Sequence, residues 1–194
     1  MIDVGREMRQ SIDVKTASLA LAPVIASAGT RIVEALQRGG KILVCGNGGS
    51  AADAQHFATE LVGRFERERR GVPCLALTAD SLLLTALAND HGYQAVFERQ
   101  VRTLGTAGDV LVAISTSGES ESVVRAVAAA QAIGMTCIGL VGRGGGRIAR
   151  MAGVDVVCVP SDRTCRIQEV HTLIIHVWAQ MVDEALTAGD PDRD

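Results

Sequence analysis

Five short apolar runs, rich in β-branched residues, alternate along the chain with segments long enough to form helices. Runs that are apolar at nearly every position are typical of strands buried on both faces, which occur in parallel sheets covered by helices. The alternation therefore predicts an α/β fold with a five-stranded parallel sheet and helices on both faces. The predicted strands are residues 41–45, 73–77, 109–114, 136–141 and 155–159.

Helices are expected at residues 50–62, 81–88, 93–104, 119–133 and 164–186, between and after the strands. Two further helices precede the first strand, with Pro23 in the first turn of the second one and Gly39 and Gly40 at its end. We expect three parts: an N-terminal helical segment at 1–40, the α/β domain at 41–187, and a polar, frayed tail at 188–194.

Charge and composition exclude several classes of partner. The formal net charge is −3 and aromatic residues make up 3% of the chain, so neither a positive field nor a base-stacking platform is available for nucleic acid. The five cysteines include no Cys-x-x-Cys pair, which argues against a disulfide framework or a thiolate zinc site and fits the cytoplasm.

One apolar segment, residues 17–28, resembles a signal peptide because it ends in Ala-Ser-Ala. The charges upstream of it are balanced and Pro23 interrupts it, so we expect an ordinary helical segment. We expect no apolar run of membrane-spanning length, and therefore no membrane partner.

A glycine-rich turn at residues 46–51 follows the first predicted strand and opens a helix. Its backbone N–H groups could hold a sugar phosphate or a dinucleotide pyrophosphate, and the turn could also be purely structural. A dinucleotide enzyme would need an acidic residue about twenty positions further on. Glu66 and Glu68 lie there, but before the second strand and not at its carboxyl end, so we disfavour an oxidoreductase.

A second turn, residues 115–120, carries four hydroxyl side chains: Ser115, Thr116, Ser117 and Ser120. Hydroxyl donors beside helix N-terminal amides can hold a phosphate without a lysine. Helix capping by Ser117 or Ser120 is the alternative, but it would use only one of the hydroxyls. We therefore interpret this turn as a phosphate site. The spacing assigns no role to a third turn, in which Arg143 and Arg147 flank three glycines.

Two helices carry polar side chains on one face. His56 and Glu60, together with Asp53, share a face of the third helix, and a His and a Glu four residues apart can reach one metal ion or one substrate. A surface polar stripe would give the same spacing. On the last helix the residues that share a face are Cys165, Gln168, Thr172 and His176, and those expected at the surface or an interface are Glu169 and His171. Together the two helices favour a shared site.

Two loop segments remain open. Asn89 and Asp90 could cap a helix or line a site, and the sequence does not decide between these roles. The mixed run at residues 64–70 is interpreted as a solvated face.

Taken together, these motifs resemble one known family, the sugar isomerase (SIS) domain proteins, and within it the phosphoheptose isomerases. The segments that carry the resemblance are residues 45–50, 53–57 with Glu60, 89–90, 114–118 with Ser120, and 166–171 with His176. The resemblance implies a flavodoxin-like fold and a cytoplasmic homotetramer, with active sites near subunit interfaces and the N-terminal helices in the tetramer core. The implied reaction is the aldose-ketose isomerisation of sedoheptulose 7-phosphate to D-glycero-D-manno-heptose 7-phosphate, the first step of ADP- or GDP-heptose biosynthesis toward lipopolysaccharide or related glycans.

The resemblance also implies one zinc ion per subunit, held by His56, Glu60, Gln168 and His176. The implied substrate-binding residues are Asn47, Gly48, Gly49, Ser50, Asn89, Asp90 and Gln168, with Ser115, Thr116, Ser117 and Ser120 around the phosphate. Glu60 would carry a proton between C1 and C2 through a cis-enediol, and His176 would exchange protons with the oxygens or assist ring opening. Cys165 stands where some relatives place an acid.

A sister group with the same fold binds the bacterial replication initiator and is not enzymatic, and residues 64–70 look similar to that group. Its members lack the metal and acid-base residue types at the positions of Glu60 and His176. All four implied ligands are present here, so we favour the isomerase over the binding protein.

Overall fold

The structure, a computed structural model, describes residues 1–187. Five parallel strands form one sheet in the order β2-β1-β3-β4-β5, which confirms the predicted flavodoxin-like α/β fold. The strands are β1 Ile42–Gly46, β2 Cys74–Ala76, β3 Val110–Ser115, β4 Thr136–Val141 and β5 Val154–Cys158. The predicted tail at residues 188–194 lies outside the described residues, and the predicted division at residue 40 remains a prediction.

Helices cover both faces of this sheet. The α-helices are α1 Val4–Ala17, α2 Ala22–Gln37, α3 Gly49–Val62, α4 Ser81–His91, α5 Val96–Leu104, α6 Glu121–Ile133, α7 Gly146–Ala149 and α8 Thr164–Thr187. Short 3-10 turns at Ser18–Leu21, Tyr93–Ala95 and Arg143–Gly145 join some of them. The helix predicted at 93–104 is therefore a 3-10 turn followed by α5, and the helix predicted from residue 119 begins at Glu121 with Ser120 as its N-cap residue.

Alternate residues of each central strand enter different hydrophobic cores. In β1, Ile42 and Val44 pack under α2, α3 and α8, whereas Leu43 and Cys45 pack under α5 and α6. All five residues of β1 and all six of β3 are buried, as expected for strands covered on both faces. This double burial is the physical reason why the apolar runs located the strands.

The helical stretch Val4–Gln37 corrects the expectation about membrane-spanning length. By length and composition alone this stretch is apolar enough to cross a membrane, a test that signal sequences and core helices of soluble proteins also pass. Its second half packs on the domain: the indole N–H of Trp178 in α8 donates to the carbonyl of Ile25 at 2.9 Å, and a Cβ on Gly29 would overlap the Met181 side chain. The helix therefore has a protein partner for part of its apolar surface.

The sheet order places a crevice between β1 and β3. In open parallel sheets, ligands bind beyond the carboxyl ends of the strands where the order reverses, which here is between these two neighbouring strands. Both predicted ligand-binding turns follow them directly, one leading into α3 and the other leading into α6.

Candidate active site

Asn47 connects the two turns at the crevice. Its Nδ2 donates to the Ser122 hydroxyl in the first turn of α6 at 3.0 Å, and its Oδ1 accepts from the Tyr93 hydroxyl at 2.7 Å. The side-chain amide is therefore fixed from two sides. Tyr93, the chain's only tyrosine, follows Gly92 directly, and no sequence pattern indicates a role for it.

Two hydroxyls of the second turn, those of Ser115 and Ser120, lie close together. The Ser115 hydroxyl is 3.3 Å from that of Ser120 and accepts the Gly118 N–H at 3.1 Å, while Ser117 accepts the Glu119 N–H at 3.2 Å. Ser120 occupies the N-cap position of α6, yet its side chain makes no capping hydrogen bond to the helix. The capping alternative is therefore wrong for Ser120, and its hydroxyl stands beside free helix N–H groups.

The third glycine turn supports the second one. Gly118 has a φ of +64°, and a Cβ there would collide with the carbonyl oxygen of Gly145. A Cβ on Gly146 would likewise overlap the carbonyl oxygen of Ser117, and the Ile148 N–H donates to the Gly118 carbonyl at 3.1 Å. The sequence assigned no role to this turn, and the structure shows that its glycines allow two backbones to touch.

Helices α3 and α8 run in parallel and meet at one residue per helical turn. The Thr172 hydroxyl donates to Asp53 at 3.1 Å, and the Nε2 atoms of His56 and His176 are 3.3 Å apart. One turn earlier, a Cβ on the glycine at position 49 would overlap the amide nitrogen of Gln168. The structure thus brings the two predicted polar faces together, with Gln168 at the α3 N-terminus.

His56, Glu60 and His176 form a compact cluster. The His56 Nε2 lies 3.0 Å from Glu60 Oε1, and one ligand atom from each of the three residues lies within 4.8 Å of the others. A tetrahedral zinc ion with bonds of about 2.0–2.2 Å holds its ligand atoms roughly 3.3–3.5 Å apart. The distances from His56 Nε2 to Glu60 Oε1 and to His176 Nε2, 3.0 Å and 3.3 Å, are close to this value. Two imidazoles and a carboxylate are also ligands that zinc prefers, so these residues fit a divalent metal ion.

Asp53 adds a buried carboxyl group between these residues and Gln168. Its side chain belongs to a residue only 8% exposed, and burial raises the pKa of the carboxyl, against the lowering effects of the Thr172 hydrogen bond and of His56. Among the described residues, Oδ2 has no hydrogen-bond partner. The sequence placed Asp53 on the shared face, but only the packing of α8 reveals that it is buried.

His171 lies in the core, so its predicted place at the surface or an interface is wrong. It is fully buried, and its Nε2 donates to the carbonyl of Val141, the last residue of β4, at 3.2 Å. Burial lowers the pKa of His171 to about 4, with the hydrogen bond acting in the opposite direction. Glu169 is half-buried against α1, where it accepts the Ser11 hydroxyl at 2.7 Å.

The run at 64–70 also departs from the prediction of a solvated face. Arg64 and Glu68 are exposed as predicted, but the side chain of Arg69 is only 3% exposed and pairs with Asp183 at 2.6 Å. Phe65 lies against the site, because its ring packs on that of His176 with centroids 5.4 Å apart and planes at 27°. The charged residues of this run are typical of an exposed face, so the sequence pattern did not indicate either contact.

Asn89 and Asp90 lie in the last turn of α4, where neither can serve as an N-cap residue. Both are exposed, and the Asn89 amide donates to Asp90 at 2.8 Å. Cys165 is exposed in the first turn of α8, where a hydrogen bond from Arg166 lowers the pKa of its thiol. The substrate roles implied for Asn89 and Asp90 remain predictions.

The sequence and the fold are similar to those of known SIS-domain proteins and phosphoheptose isomerases. Residues 8–142 match the family model described as SIS domain. The phosphoheptose isomerase of Roseiflexus sp. (strain RS-1) is 51% identical over 182 residues, which cover 93% of this chain and 91% of the relative. The phosphoheptose isomerase of Thiobacillus denitrificans is 55% identical over 169 residues, 86% of each chain. The solved phosphoheptose isomerase structure from Neisseria gonorrhoeae superposes with a TM-score of 0.89 at 46% identity, covering 93% of this chain and 97% of that one.

Proposed function

The chain belongs to the phosphoheptose isomerase family of SIS-domain proteins, and from this premise we propose that it converts sedoheptulose 7-phosphate to D-glycero-D-manno-heptose 7-phosphate. The observation that carries the proposal is the juxtaposition of Glu60, His56 and His176 on the two helices that flank the glycine turn. Relatives about half identical over nearly the whole chain carry the name of this activity.

Phosphate binding falls to the turn at residues 115–120. Hydroxyls of Ser115, Ser117 and Ser120 surround the N-terminus of α6, whose first N–H groups and dipole favour an anion. The close backbone contacts of Gly118 and Gly146 between this turn and the third turn hold the loop in place. We propose that Asn47, Gly48 and Gly49 of the first turn, with Gln168, bind the sugar hydroxyls beside it.

Isomerisation moves a carbonyl group from C2 to C1, and the residues at the site supply the proton transfers. Glu60 removes a proton from C1, the electron pair forms a C1–C2 double bond, and the C2 oxygen takes a proton to give an enediol. Loss of the O1 proton then forms the C1 carbonyl while C2 receives the proton from the Glu60 carboxyl. His176 lies next to His56, which contacts Glu60, and it exchanges protons with O1 and O2 of the substrate.

We propose zinc as the metal, held by His56, Glu60 and His176 together with Gln168. Zinc at this cluster would act as a Lewis acid that polarises the substrate carbonyl. Asp53, Thr172 and Phe65 then act on the ligands by packing: the first two join α3 to α8, and the ring of Phe65 restricts that of His176.

We also propose a cytoplasmic homotetramer that serves heptose biosynthesis for lipopolysaccharide or a related glycan. What supports the assembly is α1, on which Val4, Met8 and Ile12 recur every fourth residue and are each at least 60% exposed. A row of exposed apolar side chains on one helix face favours contact with another copy. The other side of α1 rests on α8, where the Ser11 hydroxyl donates to Glu169 at 2.7 Å, and Glu7 pairs at 2.9 Å with Arg163, the residue before α8.

The binding-protein alternative is not favoured, because a protein that only binds the replication initiator needs no cluster of His, Glu and His. The experiment that tests the proposal is incubation of the purified, zinc-supplemented protein with sedoheptulose 7-phosphate, followed by NMR. Appearance of the aldose phosphate is expected, with unphosphorylated sedoheptulose as the matched poor substrate. Absence of conversion by a correctly folded, metal-loaded protein would overturn the proposal.

A further inference from the structure

A buried ion pair joins the chain after α3 to α8. Arg69 Nε lies 2.6 Å from Asp183 Oδ1, and the two side chains are only 3% and 1% exposed. Asp183 follows His176 by seven residues, or about two turns of the same helix. The pair therefore lies below the proposed active site, where neither side chain is placed to touch a substrate.

Arg69 holds the end of the helix that carries Glu60. Its guanidinium donates to the carbonyl of Glu60 and to that of Leu61, each at 2.9 Å. The last carbonyls of an α-helix have no partner within the helix, so a cation there caps it. Because Arg69 also binds Asp183, its side chain links the backbone of Glu60 to α8.

Asp183 holds the segment that covers His176. Its Oδ2 accepts the backbone N–H groups of Glu66 and Arg67, each at 2.9 Å. The preceding residue, Phe65, packs its ring on that of His176. One carboxylate thus fixes the position of the ring that restrains a proposed catalytic histidine.

We propose that Arg69 and Asp183 are positioning residues of the isomerase reaction, which set the geometry of Glu60 relative to His176 from behind the site. The inference rests on the proposed function, because it is that reaction which needs the two groups aligned. Small displacements of reacting groups cost large factors in rate, so a cap on the Glu60 backbone bears directly on turnover.

A matched control pair lies at the other end of the sheet. Lys41 Nζ is also 2.6 Å from Asp109, whose side chain is 3% exposed and accepts the N–H groups of Lys41 and Thr106. These residues precede β1 and β3 and so lie at the amino ends of the strands, away from the crevice. The two carboxylates have the same number of backbone N–H and cationic partners, and only the Arg69–Asp183 pair contacts the backbone of a proposed catalytic residue.

The experiment compares Asp183→Asn with Asp109→Asn in kcat, KM, melting temperature and affinity for Zn²⁺ measured by competition with a chelating dye. Both variants should lose thermal stability. Only Asp183→Asn should lower kcat, by about 10- to 100-fold with little change in KM, and weaken zinc binding by at least about 10-fold. Equal effects of the two variants on kcat and zinc affinity would overturn the proposal.

A second pair of variants separates position from stability. Buried ion pairs can often be replaced by apolar residues without loss of stability, so Arg69→Met with Asp183→Leu should regain much of the melting temperature. Turnover should not recover, because methionine cannot bind the Glu60 carbonyl; recovery of kcat with the melting temperature would overturn the proposal. If Asp183→Asn does not fold, Arg69→Lys tests the proposal by the same measurements. Lysine keeps the positive charge but lacks the planar guanidinium that binds Asp183 and the Glu60 carbonyl at once.

The zinc affinity distinguishes this inference from the proposed function. A wild-type protein that leaves sedoheptulose 7-phosphate unchanged contradicts the function, while the zinc comparison of Asp183→Asn with Asp109→Asn still decides whether the pair positions the cluster.

Discussion

Acidification should destabilise the fold through His171. This imidazole is fully buried, and its pKa is lowered from an ordinary 6.5 to about 4. The unfolded chain therefore binds a proton at a pH where the folded chain does not, and stability that is complete above pH 6.5 is lost as the pH falls toward 4. Linkage gives a loss of about 1 kcal/mol at pH 5.5 and about 2–3 kcal/mol at pH 4.5 from this group alone.

The assay is urea unfolding at several pH values, with the protein concentration held constant because assembly contributes to stability. His171→Gln retains an N–H donor for the Val141 carbonyl at 3.2 Å but does not titrate. Its free energy of unfolding relative to wild type should rise by the amounts above as the pH falls. His91→Gln is the control, because His91 is exposed on α4. Parallel pH profiles for His171→Gln and wild type would refute the reasoning.

Three further predictions concern ligands and assembly. Ser120→Ala should raise KM more than it lowers kcat, because this hydroxyl lies in the turn proposed to bind the phosphate and not among the residues proposed to transfer protons; steady-state kinetics with an equal or larger loss in kcat would contradict this. Chelation should remove most of the activity and added Zn²⁺ should restore it, whereas full activity in protein shown by mass spectrometry to be free of metal would refute the zinc site. Light scattering should report the mass of a tetramer, for which D2 is the expected symmetry. The double substitution Met8→Glu with Ile12→Glu should dissociate this tetramer, because both side chains are exposed on α1. A monomeric wild type at micromolar concentration would contradict the assembly.

The fold was predictable because the strands are buried on both sides. Every position of β1 and β3 is buried, and all but the last residue of each, Gly46 and Ser115, carry an apolar side chain, so a continuous apolar run locates each strand without knowledge of its neighbours. The positions of the two turns proposed to bind the substrate were predictable for a similar reason, since glycine and hydroxyl residues are concentrated within six positions of a strand end.

The residues that sequence reasoning misplaced or left without a role are those whose surroundings come from distant parts of the chain. His171 sits on a helix that is apolar on several sides, and only the packing of α8 on the end of β4 shows that this position is buried. Arg69 lies in a run of charges that is typical of a solvated face, and its partner Asp183 is 114 residues away. Tyr93 contacts Asn47 across 46 residues, and no local pattern signals that contact.

The reach of the helical N-terminus was misjudged for a different reason. The two predicted helices are present, with Pro23 in the first turn of the second as expected, but Pro23 does not interrupt the apolar stretch, because a 3-10 turn joins α1 to α2. The structure therefore carries one nearly continuous helical stretch from Val4 to Gln37.

Proton transfer by Glu60 is the central claim, and its most direct test is NMR of the reaction in deuterated water. The wild-type protein should convert sedoheptulose 7-phosphate, and the proton that is transferred between C1 and C2 should exchange with deuterium from the solvent. Glu60→Gln keeps the size and hydrogen-bonding reach of the side chain but removes the base, so both conversion and exchange should fall by at least about 100-fold while folding survives. Near wild-type exchange in a folded Glu60→Gln protein would contradict the account and move the base to another group, such as His176.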